Sequence, residues 1–250
     1  MIVFTYDKTF EGLLCAIFDA YTLRLFPDQL IESNEIAPMM ATHIHTVAAE
    51  RAHFERVYKG LEKKLSASGF RQLKYAWLSE ESGHDTAIFK YIRKVFDTRR
   101  SIENALADQD VLLIDKLAKK VSREAHLLLG FVRFQKTAQG NYAATISPRH
   151  NVLPLLLRHF ASRFAEQTWL IYDMGRRYGV MHASDGFHDV QLDAKRAVKL
   201  LRNKGRLPER ELDSDALLVL GLWKTHFNLV AIQERVHDRQ QSRRNTHRFW

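Results

Sequence analysis

FVRFQKTAQGNYAATISPRHNVLPLLLRHFASRFAEQTWLIYD, residues 131–173, changes its hydrophobic period twice. In Phe131–Lys136, Val132 and Phe134 alternate with Arg133 and Gln135, a period of two that predicts a strand. Tyr142, Ala144 and Ile146 resume the alternation after the turn signal Gln139-Gly140-Asn141, so a hairpin is expected. The spacing then becomes helical. Val152, Leu156, Phe160 and Phe164 recur every four residues, Asn151 is placed to cap the helix, and Pro154 is tolerated in its first turn. Thr168–Tyr172 reads as a strand again. Strand, helix and strand in succession give an α+β reading: a helix-rich chain whose small, mainly antiparallel sheet packs around a central helix.

The flanks agree with that reading. Downstream, Tyr178–His182 pairs with Thr168–Tyr172 around Met174-Gly175, and Asp185-Gly186 permits another turn. Two helices are expected at the end, near Asp193–Asn203 and from Ser214 to about His237. Upstream, Ile2–Tyr6 reads as a short strand, and Thr9 caps a helix whose apolar face is Phe10, Leu13, Leu14, Ile17, Phe18 and Tyr21. Thr42–Val47 fits either a strand or the start of a helix. Helical spacing then predicts helices over Ala48–Leu65, Phe70–Leu78 and Asp85–Phe96, and another after Asp110. No repeat or low-complexity linker divides the chain. The expectation is one domain over 1–250, helical over about 1–127, sheet-containing over about 128–190 and helical again over about 191–250.

Composition narrows the function classes. The chain is 46% hydrophobic and 27% charged, as a globular protein with a substantial core requires. Its one cysteine, Cys15, excludes an intrachain disulfide and Cys-rich metal centres. The longest apolar run, Ala216–Trp223, falls far short of the roughly 18 residues that suggest a membrane span. MIVFTYDKTFEG at the N-terminus lacks the features of a signal peptide, so a cytoplasmic location and no membrane partner are expected. The net charge is +9, yet residues 1–50 hold two basic and seven acidic side chains. The later chain therefore carries all the excess and is expected to meet a polyanion.

Motifs for phosphate loops, dinucleotides, zinc proteases and serine nucleophiles are absent, which counts against an enzyme without excluding one. His43 and His45 would share a strand face, but His84, His182 and His188 do not supply an identifiable third ligand, and no metal or other cofactor is expected. The cations are the stronger signal. Lys195, Lys199, Arg202 and Arg206 form one helical stripe opposite Ala197, Val198, Leu200 and Leu201. Arg239, Arg243, Arg244 and Arg248 approach the aromatic end Phe249-Trp250, a combination suited to phosphate contact and base stacking. A third cluster, Arg149, His150, His159 and Arg163, surrounds the central helix. It is the candidate catalytic centre if the protein is an enzyme, with His as acid or base and Arg holding phosphate. His159, on a largely apolar helix, is expected to be a core residue.

Three blocks then carry a resemblance: FTYDKTFEGLLCAIFDAY (4–21), SPRHNVLPLLLRHFASRFAEQTWLIYD (147–173) and LWKTHFNLVAIQERVHDRQQSRRNTHRFW (222–250). Together they resemble a bacterial family, a domain of unknown function described as a DNA-metabolism or DNA-repair protein. Its members occur beside a radical-SAM protein assigned to DNA modification and are sometimes fused to a uracil-DNA-glycosylase-like domain. The resemblance implies a DNA-metabolism accessory with nucleic acid, radical-SAM and glycosylase-like partners. It supplies no catalytic residues. Thr246 stands where members tend to have Pro, and this chain stops at Trp250, where members usually run a few residues further. A nucleic-acid-modifying enzyme and a pure protein-interaction module are the alternatives.

Overall fold

The computed structural model describes residues 1–136, 141–191 and 230–231. The chain divides into two units, Met1–Ser122 and Arg123–Trp250, and its fold is mixed α+β.

In the first unit β1 (Ile2–Tyr6) is the centre of a parallel sheet, between β2 (Gln29–Glu32) and β3 (His43–Thr46). A central parallel strand is covered on both faces, which is why Val3, Phe4 and Tyr6 are all buried instead of alternating. Thr9 caps α1 (Phe10–Leu23), its hydroxyl accepting from the Gly12 amide at 2.9 Å, and Arg24 closes the helix in the left-handed region. Three further helices, α2 (Arg51–Lys64), α3 (Ala67–Trp77) and α4 (His84–Asp97), and the start of α5 (Gln109–Phe131) complete this unit. Leu14, Ile17, Leu61, Leu73, Ile88 and Ile114 meet in its core.

Of the two readings of 42–47 the strand is the one found, as β3. β2 escapes sequence analysis because only Leu30 and Ile31 are apolar in it, too few for a period. Tyr21, expected on the core face of α1, is 38% exposed, and its hydroxyl donates to Asp97 at 2.6 Å.

In the second unit the buried stripe of Ala125, Leu128 and Val132 carries α5 through Phe131. The expected strand over 131–136 therefore shrinks to β4 (Gln135–Lys136). It pairs antiparallel with β5 (Tyr142–Ile146) as the hairpin reading requires, while the turn residues 137–140 lie outside the described residues. After β5 come α6 (Leu153–Arg163), β6 (Trp169–Asp173), β7 (Tyr178–Ala183) and β8 (Gly186–Val190). The sheet order is β8-β7-β6-β5-β4, with β9 (Val230–Ala231) beyond β4. Only β5 and β6 are parallel, because α6 crosses between them. Phe160 of α6 stands 5.2 Å from Phe134 and 6.3 Å from Trp169, so an aromatic cluster fastens the helix to the sheet. Val152, not Asn151, occupies the cap position of α6. Val230 and Ala231 are strand where a helix was expected. The expected helix at 193–203 and the rest of 214–237 lie outside the described residues.

Candidate functional site

A βαβ crossover places two loops side by side at the carboxyl ends of its parallel strands, where open α/β sheets build their sites. Here they are Ser147–Asn151 after β5 and the turn after Asp173 of β6, joined by the Met174 amide donating to the Ile146 carbonyl at 2.8 Å. Glu124 of α5 reaches this place. Its two carboxylate oxygens accept from the backbone amides of Arg149 and His150, each at 2.8 Å. Backbone amides ahead of a helix attract an anion. At these two positions the anion is a side chain of the same unit.

Arg176 holds the loop from the other side. Its guanidinium donates to the carbonyls of Pro148 (3.2 Å) and Arg149 (2.9 Å) and to Asp173 Oδ2 (3.0 Å). Asp173 is fully buried, and its Oδ1 accepts from the amides of Gly175 and Arg176. Burial raises its carboxyl pKa above the usual aspartate value, and Arg176 with the amides opposes the rise without cancelling it. Asn151 accepts from the Tyr178 hydroxyl. The loop is thus fixed through its backbone. His150 is buried, and the Arg149 side chain faces solvent.

The four candidate residues of this unit do not share one pocket. Arg149 and His150 precede α6, while His159 and Arg163 lie six and ten residues beyond its first residue Leu153, roughly 9 and 15 Å along the axis at 1.5 Å per residue. His159 is exposed, not a core residue, and with Arg158 and Arg163 it forms a solvent-facing edge of α6. Among the described residues no carboxylate pairs with Arg158 or Arg163; the Arg163 guanidinium lies 5.9 Å from the Phe164 ring. Lys195, Lys199, Arg202, Arg206, Arg239, Arg243, Arg244 and Arg248 lie outside the described residues. Sequence reasoning missed Glu124, Asp173, Arg176 and Tyr178. The one available signal was Asp173-Met174-Gly175, an aspartate turn directly after a strand.

Across the same sheet runs an aromatic row. Tyr142, Trp169, His182 and Phe187 are directly opposite one another on β5, β6, β7 and β8. In the first unit the paired histidines separate: His45 Nε2 donates to Asp19 at 2.8 Å, while His43 is exposed. Of the other candidates, His84 bonds the Glu81 carbonyl and His188 bonds Asp185. Among the described residues no group of three or more His, Cys, Asp or Glu is arranged to hold a metal ion. No described helix is long and apolar enough to cross a membrane.

Fold and site together define an α+β protein whose second unit presents a clamped loop and a basic helix edge. The model of a family described as a domain of unknown function, DUF4130, matches residues 82–250, and the chain belongs to that family. The matched region takes in α4, α5 and the whole second unit. A search of the curated proteins finds no match.

Proposed function

We propose that the protein is a cytoplasmic accessory of DNA metabolism or repair. It binds nucleic acid through its second unit and works with a radical-SAM protein, and in some settings with a uracil-DNA-glycosylase-like protein. The observation that carries the nucleic-acid reading is the division of charge between the units. Residues 1–122 hold 17 basic and 17 acidic side chains, whereas residues 123–250 hold 21 and 12, so the second unit carries the entire excess of +9. Between Ala125 and Ala165 there is no carboxylate at all, and Arg149, Arg158 and Arg163 in that stretch face solvent. The basic residues 195–206 and 239–248 extend this supply of phosphate ligands.

The radical-SAM and glycosylase-like partners are supported by the sequence resemblance. A surface on the first unit suits a protein partner: Ile36, Met39 and Met40, between β2 and β3, are 96%, 104% and 80% exposed. The enzyme reading has less support, because Arg149 and His150 are separated from His159 and Arg163, and Glu124 takes the loop amides.

The deciding experiment is titration of the full chain with single- and double-stranded DNA across salt, with and without the radical-SAM protein. Affinity is expected to fall linearly in log–log form, by about 0.9 in slope per phosphate contact on duplex. Lys195→Glu, Lys199→Glu and Arg202→Glu together lower both affinity and slope. Salt-independent binding, or none, refutes the reading. Ile36→Ser with Met39→Ser is expected to weaken radical-SAM co-purification and leave DNA affinity unchanged.

A further inference from the structure

We propose that Phe187 and His182 form a stacking platform for one base of a single-stranded nucleic acid, with the neighbouring phosphates held by Arg163 and Arg158; this rests on the nucleic-acid reading above. The aromatic row is graded from the inside out. Trp169 is fully buried, His182 is half-buried, and Phe187 is 50% exposed on the edge strand β8. Trp169 and His182 stack nearly parallel, with ring centres 5.2 Å apart and 12° between planes. The Phe187 ring lies 5.3 Å from His182 and 6.2 Å from Trp169. His182 is further tied by its Nδ1 to the Gln167 carbonyl at 3.2 Å. His182 is therefore held in place before any ligand arrives, which limits the ordering entropy lost on binding.

Arg163 stands at the same end, with Arg158 five residues earlier at the middle of α6. In a βαβ unit the helix runs antiparallel to its strands, so the last turn of α6, with Arg163, ends where β6 begins at Trp169. Phe160, 6.3 Å from Trp169, fixes that alignment, and His159 and Arg163 lie one turn apart on the exposed edge. Three carboxylates are close in sequence: Glu166, exposed in the connection, Asp185, already bonded to His188 at 2.8 Å, and Asp189, exposed two residues beyond Phe187. Around Phe187 the exposed neighbours Ser184, Asp185, His188 and Asp189 are polar. One exposed ring within a polar border suits a base, with its apolar face and polar edge, better than the apolar patch of a protein partner. In a duplex the faces of each base are already covered, so the platform selects unpaired strands.

The test uses the full chain with oligodeoxythymidylate, an abasic oligonucleotide of equal length, and duplex DNA. Phe187→Ala is expected to weaken oligodeoxythymidylate binding roughly 5- to 150-fold, the range for loss of one stacked base. Phe187→Trp restores it. Phe187→Ala leaves the salt slope and the abasic affinity as in the wild type, whereas Arg158→Gln with Arg163→Gln lowers the slope. Phe187→Leu keeps the bulk without the π face and gives the same readout should the alanine variant fail to fold. Equal affinity of wild type, Phe187→Ala and Phe187→Leu for oligodeoxythymidylate overturns the platform and leaves salt-dependent binding standing. No binding of any of the three nucleic acids by the wild type overturns both readings.

Discussion

Arg176 joins a buried carboxylate to two backbone carbonyls, so its loss does more than remove a charge. Arg176→Met leaves Asp173 buried without its guanidinium, and unfolding in urea is expected to show a loss of about 3–5 kcal/mol. The pH dependence has a definite sign. Because burial raises the Asp173 pKa above its ordinary 3.8, the folded state binds this proton more tightly than the unfolded state. The contribution of Asp173 therefore favours folding at pH below that ordinary value and weakens as pH rises through the raised one. Removing Arg176 raises the pKa further and widens this window, so the variant's deficit should grow with pH across it. A variant curve parallel to the wild type would show that Arg176 does not hold Asp173. Glu124→Gln replaces one acceptor facing two amides by a donor, and a loss of about 1–3 kcal/mol is expected in the same measurement. His150 was legible in the sequence as a residue ahead of a helix. Glu124 was not, because its partners lie 25 and 26 residues away and no local pattern announces such a bond.

Elements were legible where a period was long enough to read. β6 and β7 showed themselves as a strand pair around Met174-Gly175, whereas at β8 only the turn Asp185-Gly186 ahead of it was read. The segment 131–136 misled because a helical stripe and a short alternation share Val132, and the longer stripe prevailed. Close approach between strands was hidden as well. A Cβ added to Gly179 of β7 would stand 2.8 Å from the Ile171 carbonyl and from the Tyr172 ring. Gly179→Ala is thus expected to lower stability by about 1–3 kcal/mol, read as a shifted denaturation midpoint. On α1, Leu14 is fully buried, and Leu14→Ala should cost about 2–5 kcal/mol while DNA affinity of the folded fraction stays unchanged. Phe18, read as a core residue alongside Leu14, is partly buried and stacks on His53 at 3.8 Å, so truncating it should cost less.

At the scale of the molecule, a neutral first unit and a basic second unit separate architecture from charge. Lowering the charge of residues 123–250 by neutral substitutions at Arg158 and Arg163 should therefore weaken DNA binding without moving the denaturation midpoint, because both side chains are exposed and outside any described ion pair. The parallel sheet of the first unit has a different consequence, which concerns synthesis. β1 sits between partners that follow it by 26 residues (Val3 to Gln29) and 41 residues (Ile2 to His43), whereas each strand from β4 to β7 pairs with the next in sequence. As the chain leaves the ribosome, β1 emerges before both of its partners and lacks one of them until β3 has been made. During that interval Val3, Phe4 and Tyr6 are open to other nascent chains. Slowing translation between β1 and β3 lengthens the exposure, and the yield of soluble protein should fall with it.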